Sequence, residues 1–221
     1  MAKLPDRHTV FPAYNTMSLI DIDFSPPAMR LPKQVADYLE QMETHIEQFR
    51  NKAPNRFQGF VPSDYVRFYE AISHVLDRRL ACGNLFCEWG SGLGVATCLA
   101  NMLGFDAYGI EIDEVLVQAS QQFAEEHELP NQFIHGSFLP NDADDLVDAA
   151  FAENEGCLSM YAHADDAYSL LDSEIEDFDL VFAFPWPDDE DLTATIFEKF
   201  ASNGTLLLTY DETDAYRLRR K

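Results

Sequence analysis

The sequence predicts a three-layer α/β/α protein, a parallel sheet covered by helices on both faces. Three observations lead there. Beyond residue 80, short apolar runs alternate with stretches whose apolar residues fall at three- and four-residue steps. The apolar runs are continuous rather than alternating, which marks strands buried on both faces, as in parallel sheets. The 221 residues, 47 % of them hydrophobic, fit one domain with a modest appendage and can bury a sizeable core.

The elements follow in order. Pro5, Pro12, Pro26 and Pro27 recur without a period before Pro32, so residues 1–31 read as an extended arm. Val35, Leu39, Met42, Ile46 and Phe49 place one face on a helix over 33–50, and Ala53-Pro54-Asn55 ends it. Ser63 or Asp64 caps a second helix with Val66, Tyr69, Ile72, Leu76 and Leu80 facing inward. Strands are then expected at 85–89, 107–112, 132–135, 179–184 and 205–210. Helices are expected at 95–103, 114–126 (Val115, Leu116, Ala119 and Phe123 inward), 142–151 and 189–200, with a short one near 165–171. The chain therefore divides into an N-terminal arm and helix, 1–60, and a main domain, 61–221. Only 11 residues follow Tyr210, of which 215–220 can form one edge strand. An edge left open there would pair with a second copy, so a homodimer is expected.

Charge bounds the partners. The formal net charge is −24, and residues 80–198 contain 26 acids and no Lys or Arg. Such a surface repels phosphates, which argues against a nucleic-acid partner. It attracts a cationic protein or amine, or simply keeps the chain soluble. No window approaches the roughly 18 apolar residues of a membrane span, and no basic stretch precedes an apolar run at the N-terminus, so a cytoplasmic protein is expected. Four cysteines without a Cys-x-x-Cys read as reduced thiols. His163 in His-Ala-Asp-Asp has no second His or Cys at ligand spacing, so no metal centre is expected.

The chemistry concentrates at Glu88-Trp89-Gly90-Ser91-Gly92-Leu93-Gly94, between the first strong strand and its helix. Glycines there turn the chain sharply and let the backbone approach a ligand, and the helix that follows presents its N-terminal amides. Gly-x-Gly-x-Gly with Val95 in the last position departs from the dinucleotide fingerprint, which argues against a nicotinamide-dependent oxidoreductase. Glu88 at the strand end suits an ammonium group better than a pyrophosphate. Glu111, at the tip of the next strand, can accept both hydroxyls of a ribose.

Glu-x-Gly-x-Gly-x-Gly followed by Gly-Ile-Glu resembles class I S-adenosylmethionine (SAM)-dependent methyltransferases over residues 60–210. The resemblance implies a Rossmann-like sheet, shortened at the C-terminus, with its first five strands in the order 3-2-1-4-5. It implies SAM as cofactor and S-adenosylhomocysteine (SAH) as product. Glu88, Gly90, Ser91, Gly92 and Gly94 then surround the methionine part, Glu111 holds the ribose, and Ile112 packs near adenine. Ser137 and Phe138 stand where the family often places an acid against the adenine amine.

The acceptor belongs at the end of the fourth strand, Phe184-Pro185-Trp186-Pro187-Asp188. This differs from the Asn/Asp-Pro-Pro-aromatic motif that holds a planar amide. Pro-Trp-Pro is similar to tRNA guanine-N7 methyltransferases, but acids follow where those enzymes have bases. Phe60-Val61-Pro62-Ser63-Asp64 and the Phe-x-x-Pro strand loosely resemble seven-β-strand lysine methyltransferases. Phe184, Pro185, Trp186 and Asp188 are the catalytic candidates; Phe184 also reads as sheet core and Asp188 as a helix cap. Ser63, Asp64, Tyr65, Tyr210 and Asp211 lie on the same rim. The acceptor is then a protein side chain or small metabolite. The alternative is a non-catalytic SAM-binding or scaffold protein whose acidic face docks a basic partner.

Overall fold

The computed structural model describes residues 19–52, 61–147, 167–171, 173–186, 189–210 and 215–221. Its strands are β1 (Ile20–Ile22), β2 (Leu85–Trp89), β3 (Asp106–Glu111), β4 (Gln132–His135), β5 (Leu180–Ala183), β6 (Leu206–Tyr210) and β7 (Tyr216–Arg220). Its helices are α1 (Lys33–Lys52), α2 (Tyr65–Asp77), α3 (Val95–Met102), α4 (Glu114–Glu126), α5 (Tyr168–Leu171) and α6 (Glu190–Phe200). The expected helix over 142–151 begins as a 3₁₀ turn at Asn141–Ala143, with residues 144–147 helical, and its remainder lies outside the described residues.

One sheet runs in the order β1-β7-β6-β5-β2-β3-β4. The five strands β4-β3-β2-β5-β6 are mutually parallel, which is the expected 3-2-1-4-5 arrangement. β7 returns antiparallel to β6, from Leu206 opposite Arg220 to Tyr210 opposite Tyr216. The open edge expected there is closed: β1 pairs antiparallel with β7, Asp21 opposite Arg219. Arg217 fastens it by donating from Nε and Nη2 to the Asp21 carboxylate at 2.7 and 2.9 Å. The homodimer expectation thus loses the edge on which it rested, and a strand of the sheet comes from within residues 1–60.

The alternating faces of the buried strands make two cores. Phe86, Phe182, Leu206, Leu208 and Leu218 pack beneath α1–α4, joined by Phe68, Ile72, Leu99 and Phe123. Cys87, Trp89, Val181, Ala183 and Leu207 face the other way, against Tyr168, Phe178, Ile196 and Phe197. Each large apolar side chain so buried contributes roughly 1.5–3 kcal/mol. Helix phase departs from expectation at two places. α2 buries Phe68, Tyr69, Ile72 and Val75, leaving Val66 exposed, and α4 buries Leu116, Val117, Ser120 and Phe123, leaving Val115 exposed. A one-residue change in phase rotates a position by about 100° around the axis. Asp64 caps α2, accepting from the Arg67 amide at 3.0 Å. Cys87 and Cys98 are buried, Cys82 is exposed, and all three are free thiols; Cys157, His163, Asp165 and Asp166 lie outside the described residues. Among the described residues no helix is long and apolar enough to cross a membrane.

Candidate functional site

The strand order reverses at β2, which has β3 on one side and β5 on the other. A cavity of about 600 Å³ opens at the carboxyl ends of these strands, where open α/β sheets bind ligands. Its size suits a nucleoside-sized ligand.

The glycine turn forms its floor. The Gly90 and Ser91 amides both donate to the Ile110 carbonyl at 2.9 Å, which ties the turn to β3. Gly90 has φ +74°, and an added Cβ there would meet nothing within 4 Å. Gly94 has φ +71° and heads α3, where a Cβ would run into the Phe133 ring. Gly90, Ser91 and Gly92 line the cavity; Gly94 sits behind it, a packing position. From α4 the Ser120 hydroxyl donates to the Gly92 carbonyl at 2.9 Å and steadies the turn from below.

Glu88 and Glu111 line the same cavity and are nearly buried. Oε2 of Glu88 accepts from the Thr97 amide at 2.8 Å and its hydroxyl at 2.5 Å. Since α3 has no side-chain cap at Gly94, Glu88 supplies the cap from the neighbouring strand. Burial nevertheless pushes the Glu88 carboxyl up to about 8, with the Thr97 bonds pulling down and the Glu111 charge pushing up. Glu111 accepts from the Gly92 amide at 2.8 Å through Oε2 and the Asp113 amide at 2.9 Å through Oε1. Burial raises its carboxyl as well, against those backbone bonds. Fixed backbone donors thus hold this carboxylate at the cavity wall.

Ile112, Ser137 and Phe138 complete this end. His135 Nε2 lies 3.1 Å from the Ile112 carbonyl, holding the loop after β3. The Ser137 hydroxyl accepts from the Leu139 amide at 3.1 Å, and Phe138 stacks on Trp89 with centroids 5.0 Å apart and planes 6° from parallel.

At the opposite end Phe182 of β5, with Phe184, Pro185 and Trp186 just beyond it, meets Val61, Ser63 and Tyr65 around the start of α2. Phe184 meets Tyr210 edge-on at 5.1 Å, and Tyr210 lies 4.7 Å from Tyr216. Burial raises the Tyr65 and Tyr216 hydroxyls far above the ordinary tyrosine range, so both stay neutral. Trp186 is 41 % exposed at the mouth. Asp188 and Asp211 lie outside the described residues. Asp189, not singled out by the sequence, lines the cavity at 2 % exposure. Its amide donates to the Trp186 carbonyl at 2.8 Å, closing a turn just before α6. The doubled aspartate after Pro187 was the available signal.

No family model and no curated protein sequence matches the chain. Solved structures of similar fold include an RNA methyltransferase from Salinibacter ruber in complex with SAH, at 19 % identity over 72 % of this chain and 92 % of that chain, with a TM-score of 0.46. A hypothetical protein of Thermus thermophilus is 17 % identical over 74 % and 88 % of the two chains, with a TM-score of 0.48. A SAM-dependent methyltransferase from Thiobacillus denitrificans in complex with SAH is 17 % identical over 82 % and 56 %, with a TM-score of 0.42.

Proposed function

We propose that the chain is a SAM-dependent methyltransferase whose acceptor is a protein side chain or small metabolite. One observation carries the reading: a single cavity at the strand-order reversal gathers the glycine turn, Glu88, Glu111, Ser137, Phe138 and the Phe184–Trp186 wall. The donor set suits SAM part by part. The turn at Gly90 leaves room for close backbone approach, and Glu88 faces an ammonium with the oxygen that does not cap α3. The pinned Glu111 carboxylate accepts the ribose hydroxyls, and Ile112 with Phe138 offers apolar surface for the base. SAM, when bound, supplies a methyl group on an electrophilic sulfonium. The chain's own part is to hold the acceptor at near-attack distance and keep water out, which can contribute ~7–11 kcal/mol of the barrier.

The wall fits this task. Phe182, Phe184 and Tyr65 are apolar surfaces at the reacting end, and the neutral Tyr216 backs them. Replacing Glu111 with Ala removes the ribose contacts and is expected to weaken SAH binding by at least about tenfold, or 1.4 kcal/mol, in calorimetric titration. Unchanged affinity would remove Glu111 from the site. Turnover on any acceptor separates this reading from a non-catalytic SAM-binding scaffold.

A further inference from the structure

The methionine part of SAM carries its ammonium and its carboxylate on one carbon, so the group that receives the first has the second beside it. The cavity offers that carboxylate few donors. Among its described lining residues there is no Lys, Arg or His. The glycine turn has spent its amides on its own surroundings. Those of Gly90 and Ser91 go to the Ile110 carbonyl, that of Gly92 to Glu111 at 2.8 Å, and that of Gly94 to the Ser91 carbonyl at 2.7 Å. A phosphate-binding loop keeps such amides for its anion; this turn does not. The Ser91 hydroxyl lies buried against Gly109, behind the turn. The Thr193 hydroxyl donates to the Asp189 carbonyl at 2.8 Å. Two hydroxyls remain at the start of α2, those of Ser63 and Tyr65. Asp64 between them caps the helix, and Tyr216 of β7 donates to the Asp64 carbonyl at 3.4 Å, which fixes this corner. The Ser63 hydroxyl is taken up by Tyr216. Tyr65, the first residue of α2, lines the cavity and has no hydrogen bond to its hydroxyl among the described residues. Burial raises that hydroxyl and the neighbouring Glu88 charge raises it further, so it keeps its proton and lies within reach of the Glu88 field.

We propose that Tyr65 is the residue that recognises the cofactor's carboxylate: its hydroxyl donates to that group while Glu88 takes the ammonium. The proposal rests on the methyltransferase reading of the same cavity. A neutral donor suits this position. An Arg or Lys beside Glu88 would pair with it and compete with the incoming ammonium, whereas a phenol carries no charge and has one proton to give. A hydrogen bond to a carboxylate is charge-assisted, roughly twice as strong as a neutral one, and gains further where water is excluded. Tyr65 thereby sets a specificity. The site distinguishes an amino-acid sulfonium or thioether from the same molecule without its carboxylate, and it does so through one hydroxyl. The N-terminal part of the chain supplies that hydroxyl, and β7 holds the corner from which it reaches the cavity.

The test is calorimetric titration with SAH and with decarboxylated SAH, which lacks only the carboxylate. Tyr65→Phe keeps the ring and removes the hydroxyl. It is expected to weaken SAH by about tenfold and to leave decarboxylated SAH within about twofold of its wild-type affinity. Ser63→Ala, which removes a hydroxyl held by Tyr216, leaves both affinities unchanged. Equal loss of the two ligands in Tyr65→Phe would make Tyr65 a packing residue of α2. Unchanged SAH affinity in Tyr65→Phe, or a selective loss of SAH in Ser63→Ala instead, would put the carboxylate elsewhere. Each of these results overturns the proposal and leaves the methyltransferase reading standing. Failure of both ligands to bind the wild-type chain overturns that reading and the proposal with it.

Discussion

Glu88 does two jobs that pull against each other. It caps α3, which favours a negative charge at a helix N-terminus, and it sits buried beside Glu111, which disfavours one. Burial wins, and the carboxyl rises from its ordinary 4.5 to about 8. Between these two values the folded chain keeps a proton that the unfolded chain has released, so the group's contribution to stability is full below 4.5 and is lost as pH climbs through 8. Glu88→Gln keeps an oxygen to accept from Thr97 and removes this dependence. Denaturant unfolding at pH 5 and pH 8 should show the variant gaining on the wild type at the higher pH; parallel profiles would contradict the buried-acid account.

At the scale of elements, the β2–α3 turn separates packing from binding within five residues. Gly90 and Gly94 are both left-handed, so an alanine at either costs about 1–2 kcal/mol in backbone conformation alone. At Gly94 the added methyl also runs into Phe133, so Gly94→Ala should lose clearly more stability, read as the midpoint of denaturation. At Gly90 the methyl meets open cavity, so Gly90→Ala should keep more stability and lose SAH affinity instead. Equal destabilisation by both would mean that Gly90 is a packing position too. The parallel strands and long helices were legible because their apolar runs and helical spacing are local properties of the chain. β1 was not: Ile20-Asp21-Ile22 alternates as a strand does but is only three residues long, and its pairing with β7 is a contact across almost the whole chain. Asp189 was missed for a related reason. The place of Asp189 on the cavity wall is set by the turn that starts α6, which its sequence neighbours do not announce.

For the whole molecule, the −24 charge and its concentration in residues 80–198 mean that the folded surface repels itself. Raising salt from about 0.01 to 1 M shortens the screening length from about 30 to 3 Å. Thermal stability should therefore climb by several degrees, and a flat or falling Tm would show that the acids are already paired. The sequence showed the acidic balance at once but not where it matters; the fold brings four of those acids to the wall of one cavity, where Glu88, Glu111 and Asp113 accept from backbone amides. What that cavity holds decides the function of the chain. Calorimetric titration of the purified chain with SAH and SAM, with NAD as the control, tests it most directly. Micromolar binding of the first two, no heat from NAD, and at least about tenfold weaker SAH binding by Glu111→Ala are the predicted results. Absence of SAH and SAM binding, or affinity untouched by Glu111→Ala, would contradict it.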